Sequence, residues 1–337
     1  MAKKVLAWLG KAVAAGITAF VILTLFCVFY YNPPIHTASG NGATGYTRES
    51  DTYWSRATEG FASGKTDASG YNNSYPAVKE HIDILMMGSS QTEGLYVNDD
   101  ACASYLLNER FAEDKSNRYV YNIGMSAHTF YRNVSSLETA LSVYEPGEYV
   151  AIETSNLVCT VPDVTAALGH TMPALEKTEQ LPLGRLLQRI PYLKLLYQQY
   201  QSYRVQEEDT PAAFGTESFD EWSVNATRQI LSYIADTAEA NGCRAVIFYI
   251  PPMMISGDGT LQFQADETTR ETYASLCEEN NILFADMTER IQEAYEQEHI
   301  PASGFSNTTI GYGHLNAHGH EMLADTIYDT LLEEEGE

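Results

Sequence analysis

Hydrophobic and polar positions divide the chain into three stretches. The first is an uncharged apolar run from Ala12 to Tyr31, with Lys3, Lys4 and Lys11 before it. As a helix rising about 1.5 Å per residue it would span roughly 30 Å, the thickness of a bilayer core. Trp8, Tyr30 and Tyr31 sit where interfacial aromatics belong. The lysines precede the span and none follows it closely, so the pattern predicts a single-pass anchor with a cytoplasmic N-terminus and an extracytoplasmic remainder. A cleaved signal peptide is the alternative. Against it, the run exceeds a usual h-region and no small-x-small site follows directly. Phe26 is too bulky to precede a lipoprotein cysteine at Cys27.

The second stretch, residues 32–78, is rich in Gly, Ser, Thr, Asn and Tyr and shows little periodicity. It reads as an extracytoplasmic tether, laid in part on the following domain through Tyr53, Trp54 and Phe61. Gly64-Lys65-Thr66 is like the end of a phosphate loop, but Gly60 is one residue too close and no strand precedes it. A nucleotide site is therefore rejected.

In the third stretch, residues 79–337, short apolar runs alternate with helical patterns. Strands are predicted at Ile82–Met87, Arg118–Asn122, Tyr149–Glu153, Ala245–Ile250 and Ile282–Ala285. Helices are predicted near Ala101–Ala112, Val134–Val143, Trp222–Ala240, Thr268–Glu279, Thr288–Glu296 and Ala317–Leu332. This alternation predicts an α/β fold of three layers, a mostly parallel five-stranded sheet covered by helices on both faces. Ligands on such sheets bind outside the carboxyl ends of the strands. A helical insertion at about 157–220 interrupts the pattern. Its Leu181–Val205 segment is amphipathic, broken at Pro191 and basic through Arg185, Arg189, Lys194 and Arg204. It is either a packed insertion with solvated cations, or a lid, or a face for an anionic glycan, a membrane or a partner.

A net charge of −25 argues against nucleic acid as a partner. Five scattered cysteines without a C-x-x-C give neither a disulfide framework nor a zinc ribbon, and no cofactor is implied.

Four short segments fall at predicted strand ends. They are Gly88-Ser89-Ser90-Gln91-Thr92-Glu93-Gly94, Asn122-Ile123-Gly124-Met125-Ser126, Glu153-Thr154-Ser155-Asn156 and Gly313-His314-Leu315-Asn316-Ala317-His318-Gly319. Acyl transfer needs a hydroxyl nucleophile, an imidazole base and donors for an oxyanion. Ser90 can be the nucleophile and His314 the base. The N–H groups of Ser90 and Gly124 and the side-chain amide of Asn156 can hold the oxyanion. A structural turn at Ser90 and a helix cap or turn at Asn156 are the plainer alternatives. His128 is a pocket-lining or surface-loop residue. His314, His318 and His320 lack a shared face and a ligand-spaced carboxylate, so no metal site is expected.

The arrangement resembles the SGNH, or GDSL-type, hydrolases, whose flavodoxin-like fold carries a G-D-S-x-T-x-G block, then a glycine, an asparagine and a D-x-x-H block. Gly88, Ser90, Thr92 and Gly94 match the first block, Gly124 the second, Asn156 the third and His314 the last, with Asn316 and Gly319 after it. The resemblance covers residues from about Ile82 to the C-terminus. It implies a serine esterase or O-acyltransferase using a Ser90–His314 pair. With the anchor, it implies an acylated glycan or cell-wall polymer as substrate and a multi-spanning membrane acyltransferase as a partner.

Two positions depart from the pattern. Ser89 replaces the first block's aspartate, and Gly311 stands where the triad aspartate belongs, three residues before His314. A dyad, or another acid such as Glu153 or Asp286, would then orient the imidazole. The alternatives are a catalytically inactive frame that binds glycan or a membrane acyltransferase, and a lipid-active esterase with an apolar cleft under Leu181–Val205.

Overall fold

The structure is a computed structural model and describes residues 2–38, 43–76, 81–169, 187–205 and 217–336. In chain order it begins with α1 (Ala2–Tyr30), which is long and apolar enough to cross a membrane. Five short strands follow: β1 (Tyr31–Asn32), β2 (His36–Ala38), β3 (Tyr46–Arg48), β4 (Tyr53–Arg56) and β5 (Ala62–Lys65). Next come β6 (Ile84–Met87), α2 (Ser90–Glu93), α3 (Ala103–Glu113), β7 (Val120–Asn122), α4 (Phe130–Tyr144) and β8 (Tyr149–Thr154). The insertion contains α5 (Val161–Leu168) and α6 (Pro191–Val205). The chain then forms α7 (Glu221–Ala240), β9 (Arg244–Tyr249), the hairpin β10 (Met253–Ile255) and β11 (Leu261–Phe263), and α8 (Glu267–Glu279). It ends with β12 (Leu283–Asp286), α9 (Thr288–Glu298) and α10 (Ala317–Gly336).

The central sheet has five parallel strands in the order β12-β9-β8-β6-β7. Alternate residues along each strand enter opposite layers, as the pleat requires. Leu85, Met87, Val150, Ile152, Ile247 and Tyr249 pack with Leu137 of α4, Ile234 of α7 and Tyr273 of α8. Ile84, Met86, Ala151, Val246 and Phe248 pack with Phe111 of α3, Ile291 of α9 and Ile327 of α10. Each large side chain buried in this way contributes about 1.5–3 kcal/mol. This is the three-layer α/β fold that the alternating pattern predicts, with strand ends within two residues of the expected ones.

The segment expected as a tether instead folds onto the domain. β1 follows α1 without a break and pairs with β4, which pairs with β5, while β2 and β3 form a hairpin. Trp54 is buried, whereas Tyr53 and Phe61 are exposed. The segment's polar side chains are used in docking. Asn73 donates to the Asn122 carbonyl at 2.9 Å and accepts from the Asn122 N–H at 2.8 Å. Arg48 makes two contacts to the buried Glu93, at 2.7 and 3.0 Å. Burial opposes the charge on Glu93, but Arg48 and Ser126 outweigh it and hold the carboxyl below its usual range.

In the insertion a helix starts at Pro191, where the break was expected, with the proline at its first turn. Residues 181–186, Arg185 among them, lie outside the described residues. The helix packs along α1 and β1: the Phe20 and Tyr192 rings meet edge-on at 5.9 Å. Arg189 is exposed, but Lys194 is tucked against Asn32 and Pro33.

Candidate active site

β6 is buried along its whole length and ends in a turn at Gly88 and Ser89. Ser89 is extended, and its hydroxyl accepts from the Gln91 N–H, capping α2. Ser90 is therefore the first residue of a helix. Its own N–H makes no hydrogen bond among the described residues and is one of the donors that a helix start leaves free. The turn is fastened from the neighbouring strand. Glu153, buried at the end of β8, accepts from the Ser89 N–H at 2.8 Å, the Thr92 N–H at 3.1 Å and the Thr92 hydroxyl at 2.5 Å, and also from the Ser89 hydroxyl. The carboxylate missing at position 89 is thus supplied by the strand beside it.

His314 arrives on the loop before α10. Its Nε2 lies 2.9 Å from Ser90 Oγ and its Nδ1 lies 2.9 Å from Glu59 Oε1. An ionised carboxylate only accepts, so this pairing puts the proton on Nδ1 and a lone pair on Nε2, facing the Ser90 hydroxyl. Burial works against the charge on Glu59, but its hydrogen bonds to His314 and the field of Arg56 hold its carboxyl below the usual range. Asn307 clamps the turn that carries Glu59: its Oδ1 accepts from Gly60 N–H at 2.9 Å and its Nδ2 donates to the Ala57 carbonyl at 2.9 Å. Gln91, next to Ser90, braces the histidine loop by accepting from Leu315 N–H at 2.8 Å and donating to the Gly313 carbonyl at 3.3 Å. The Tyr96 ring stacks on the imidazole at 3.5 Å, and Arg56 lies 3.8 Å from the centre of the same tyrosine ring, necessarily on its other face. Burial pushes the Tyr96 hydroxyl up to about 12, which keeps it protonated.

Several expected roles are corrected. The acid at Nδ1 is Glu59, not Glu153 or Asp286. Glu153 is spent on the turn from Ser89 to Thr92, and Asp286 accepts from Thr288 at the start of α9 and pairs with Arg270 at 2.9 Å. Gly311 has φ +78°, and a Cβ there would lie 2.3 Å from Ile255 Cδ1. That position cannot carry an aspartate without strain, which accounts for the departure from the D-x-x-H pattern. Gly124 does not offer its N–H to the site, because Asn122 Oδ1 accepts it at 2.7 Å. Glycine is needed there for a different reason: a Cβ would sit 2.7 Å from the Glu93 nitrogen. Asn156 is exposed, and its side chain makes no hydrogen bond to Ser90 or His314. With its amide assigned from hydrogen-bonding partners, it donates to the Ser155 carbonyl at 3.2 Å and Glu217 Oε1 at 3.3 Å.

The other histidines lie apart from the Ser90–His314 contact. His128 is buried rather than on a surface loop, and burial lowers it to about 4. His320 is buried, lowered to about 3 by burial and then by His314, and its Nδ1 accepts from Ala103 N–H at 3.3 Å. His318 is exposed. Among the described residues no three His, Cys, Asp or Glu side chains converge as metal ligands would.

No protein-family model matches the chain, and no curated protein does. Among solved structures the chain is similar to esterases and hydrolases, a GDSL-like lipase and an SGNH hydrolase among them. TesA is 14% identical, with 74% of this chain and 97% of that one covered and a TM-score of 0.41. A psychrotrophic esterase from Pseudoalteromonas sp. is 12% identical, with 75% and 98% covered and a TM-score of 0.42. A variant of an acetyl xylan esterase from Geobacillus stearothermophilus is 16% identical, with 73% and 93% covered and a TM-score of 0.39.

Proposed function

We propose that the protein is a serine esterase or O-acyltransferase, anchored in a membrane by α1, with the α/β domain extracytoplasmic and acyl esters of cell-surface glycans, above all acetyl esters, as substrates. The observation that carries this reading is the line of contacts Ser90–His314–Glu59, 2.9 Å at each step. It has the nucleophile, base and orienting acid that acyl transfer needs, in contact and in that order.

Ser90 Oγ attacks the ester carbonyl carbon while His314 Nε2 takes the hydroxyl proton. The resulting imidazolium is stabilised by Glu59 through Nδ1–H. The carbonyl oxygen becomes an oxyanion held by the Ser90 N–H at the start of α2. The loop after β7 is held to α2 by Ser126 N–H donating to Glu93 Oε2 at 3.0 Å, and the Ala127 N–H makes no hydrogen bond among the described residues. The tetrahedral species collapses by breaking the ester C–O bond, and His314 returns the proton to the leaving sugar hydroxyl. Water, or a hydroxyl of a second sugar, then attacks the acyl-serine and gives hydrolysis or transfer. For transfer, a multi-spanning membrane acyltransferase is a suitable source of the acyl group. Glu59 at His314 Nδ1 stands in for the acid absent at Gly311, which favours an enzyme over a catalytically weak or inactive frame that binds glycan or a membrane acyltransferase.

The test uses the full chain in neutral detergent with acetylated xylo-oligosaccharides, following acetate release and acetyl movement to an added oligosaccharide by mass spectrometry. Turnover that Ser90→Ala abolishes is expected. Absence of both hydrolysis and transfer in folded protein, or turnover indifferent to Ser90→Ala, would refute the reading.

A further inference from the structure

A cavity of about 270 Å³ lies beside the site, between the chain leaving α1 at Tyr31, the insertion helix α6, and the wall formed by Arg56 and Tyr96. It is one aromatic ring away from the imidazole, since His314 stacks on Tyr96 and Arg56 lies on the ring's opposite face.

The charges around this cavity are unbalanced. Arg48 lines it, but both of its contacts to Glu93 neutralise it. Arg56 and Lys194 have no carboxylate within ion-pair range among the described residues, in a chain whose net charge is −25. Lys194 Nζ donates only to neutral acceptors, Asn32 Oδ1 at 2.7 Å and the Pro33 carbonyl at 2.9 Å, which leaves one N–H unused. Burial lowers Lys194 to about 8, and Glu49 opposes that only through space. Arg56 Nη2 donates to the Tyr96 hydroxyl at 2.6 Å, but Arg56 Nε is buried and makes no hydrogen bond. Buried polar groups left in this condition each cost about 1–3 kcal/mol, and more when charged. A bound anion would relieve the two cations together.

We infer that this cavity is a subsite for a phosphate or phosphodiester group, held by Lys194 and Arg56. A guanidinium edge and an ammonium from different walls suit an anion with several oxygens better than a carboxylate with two. The place is suitable as well. Tyr31 and Pro33 follow on the apolar helix, so the cavity is lined by the chain just after α1, which the membrane-anchor reading puts near a bilayer surface. The phosphate has two possible sources of the same chemistry: a lipid headgroup, or a phosphate borne by the polymer whose ester Ser90 attacks. Only the second source rests on the esterase reading; the binding itself does not.

The test uses the full chain in phosphatidylcholine nanodiscs, with glycerol phosphate as the probe and calorimetry as the readout. Saturable binding is expected, weakened about tenfold or more in Lys194→Gln, a loss of about 1.4 kcal/mol. Arg56→Gln should weaken it similarly, and Lys194→Arg should restore it to within a few-fold of the wild type. The rescue separates lost charge from lost folding. No saturable binding, or equal binding by wild type and Lys194→Gln, would overturn the inference. If binding is present and phosphatidylglycerol in the nanodisc competes it away, the source is a headgroup. If the lipid change leaves it intact, the source is the substrate. Phosphonate labelling of Ser90 on the same samples keeps the two readings apart: labelled protein that fails to bind phosphate sinks this inference alone.

Discussion

Replacing Glu59 by glutamine removes a charge with little change in size, and the geometry sets what that should cost. Glu59 Oε1 and His314 Nδ1 are 2.9 Å apart, which puts the charge centres of a carboxylate and an imidazolium about 4 Å apart. At an effective dielectric of about 20 their attraction is about 4 kcal/mol. Both side chains are 23% exposed, so water screens part of this, and about 2–4 kcal/mol is expected. One factor of ten is about 1.4 kcal/mol, so kcat should fall by about 30- to 1,000-fold. KM should change little, because the attraction grows only as the imidazole takes the proton. The assay is steady-state hydrolysis of 4-nitrophenyl acetate by the full chain. In a His314→Ala background Glu59→Gln should cost nothing further, since the two residues act as one unit. A loss below threefold, or full additivity with His314→Ala, would refute the reasoning.

Three other outcomes follow from the same geometry. Gly311→Asp should lower stability by about 1–3 kcal/mol, because φ is +78° and the new Cβ meets Ile255; it should not rescue Glu59→Ala, as denaturant midpoints and nitrophenyl acetate turnover would show. Arg48→Met leaves the buried Glu93 unpaired and should cost about 3–5 kcal/mol in urea unfolding; a change under 1 kcal/mol would contradict the account. The third outcome is a pH dependence. Glu59 has a folded pKa below its ordinary 4.5, so it binds fewer protons folded than unfolded near that value. Its stabilising effect is then full above about pH 4.5 and disappears as pH falls through the lowered folded value. Thermal melts of wild type and Glu59→Gln should differ at pH 5 and above and converge only as pH falls below the ordinary carboxylate range; convergence already between pH 6 and 5 would contradict it.

The sheet was legible because its strands are buried on both faces. Ile84–Met87 and Ala245–Tyr249 are continuous apolar runs, and such runs between helical patterns have few alternative folds. Residues 32–78 were not legible, because their strands are two to four residues long and hold only through pairing and docking. That is also why Glu59 was missed. It lies 31 residues before Ser90 and 255 before His314, in a polar stretch without periodicity, so no local spacing marks it. The Ser90–His314 pairing was legible because each residue sits in a turn whose neighbours have local work to do. Ser89 caps α2, and Asn316 accepts from Gly319 N–H as α10 begins. Gly124 misled for a physical reason: a missing side chain leaves room, and the sequence does not say whether a ligand or the α2 backbone fills it. Asn156 misled similarly, since an amide after a strand can serve a site or, as here, the turn and Glu217.

The central claim is that Ser90 is an activated nucleophile, and covalent labelling tests it most directly. The full chain in detergent would be treated with a fluorophosphonate, and the adduct located by intact mass and peptide mapping. One phosphonyl group on Ser90 is expected, abolished by Ser90→Ala and by His314→Ala and slowed by Glu59→Gln. No adduct on folded protein, or an adduct that survives Ser90→Ala, would contradict the account.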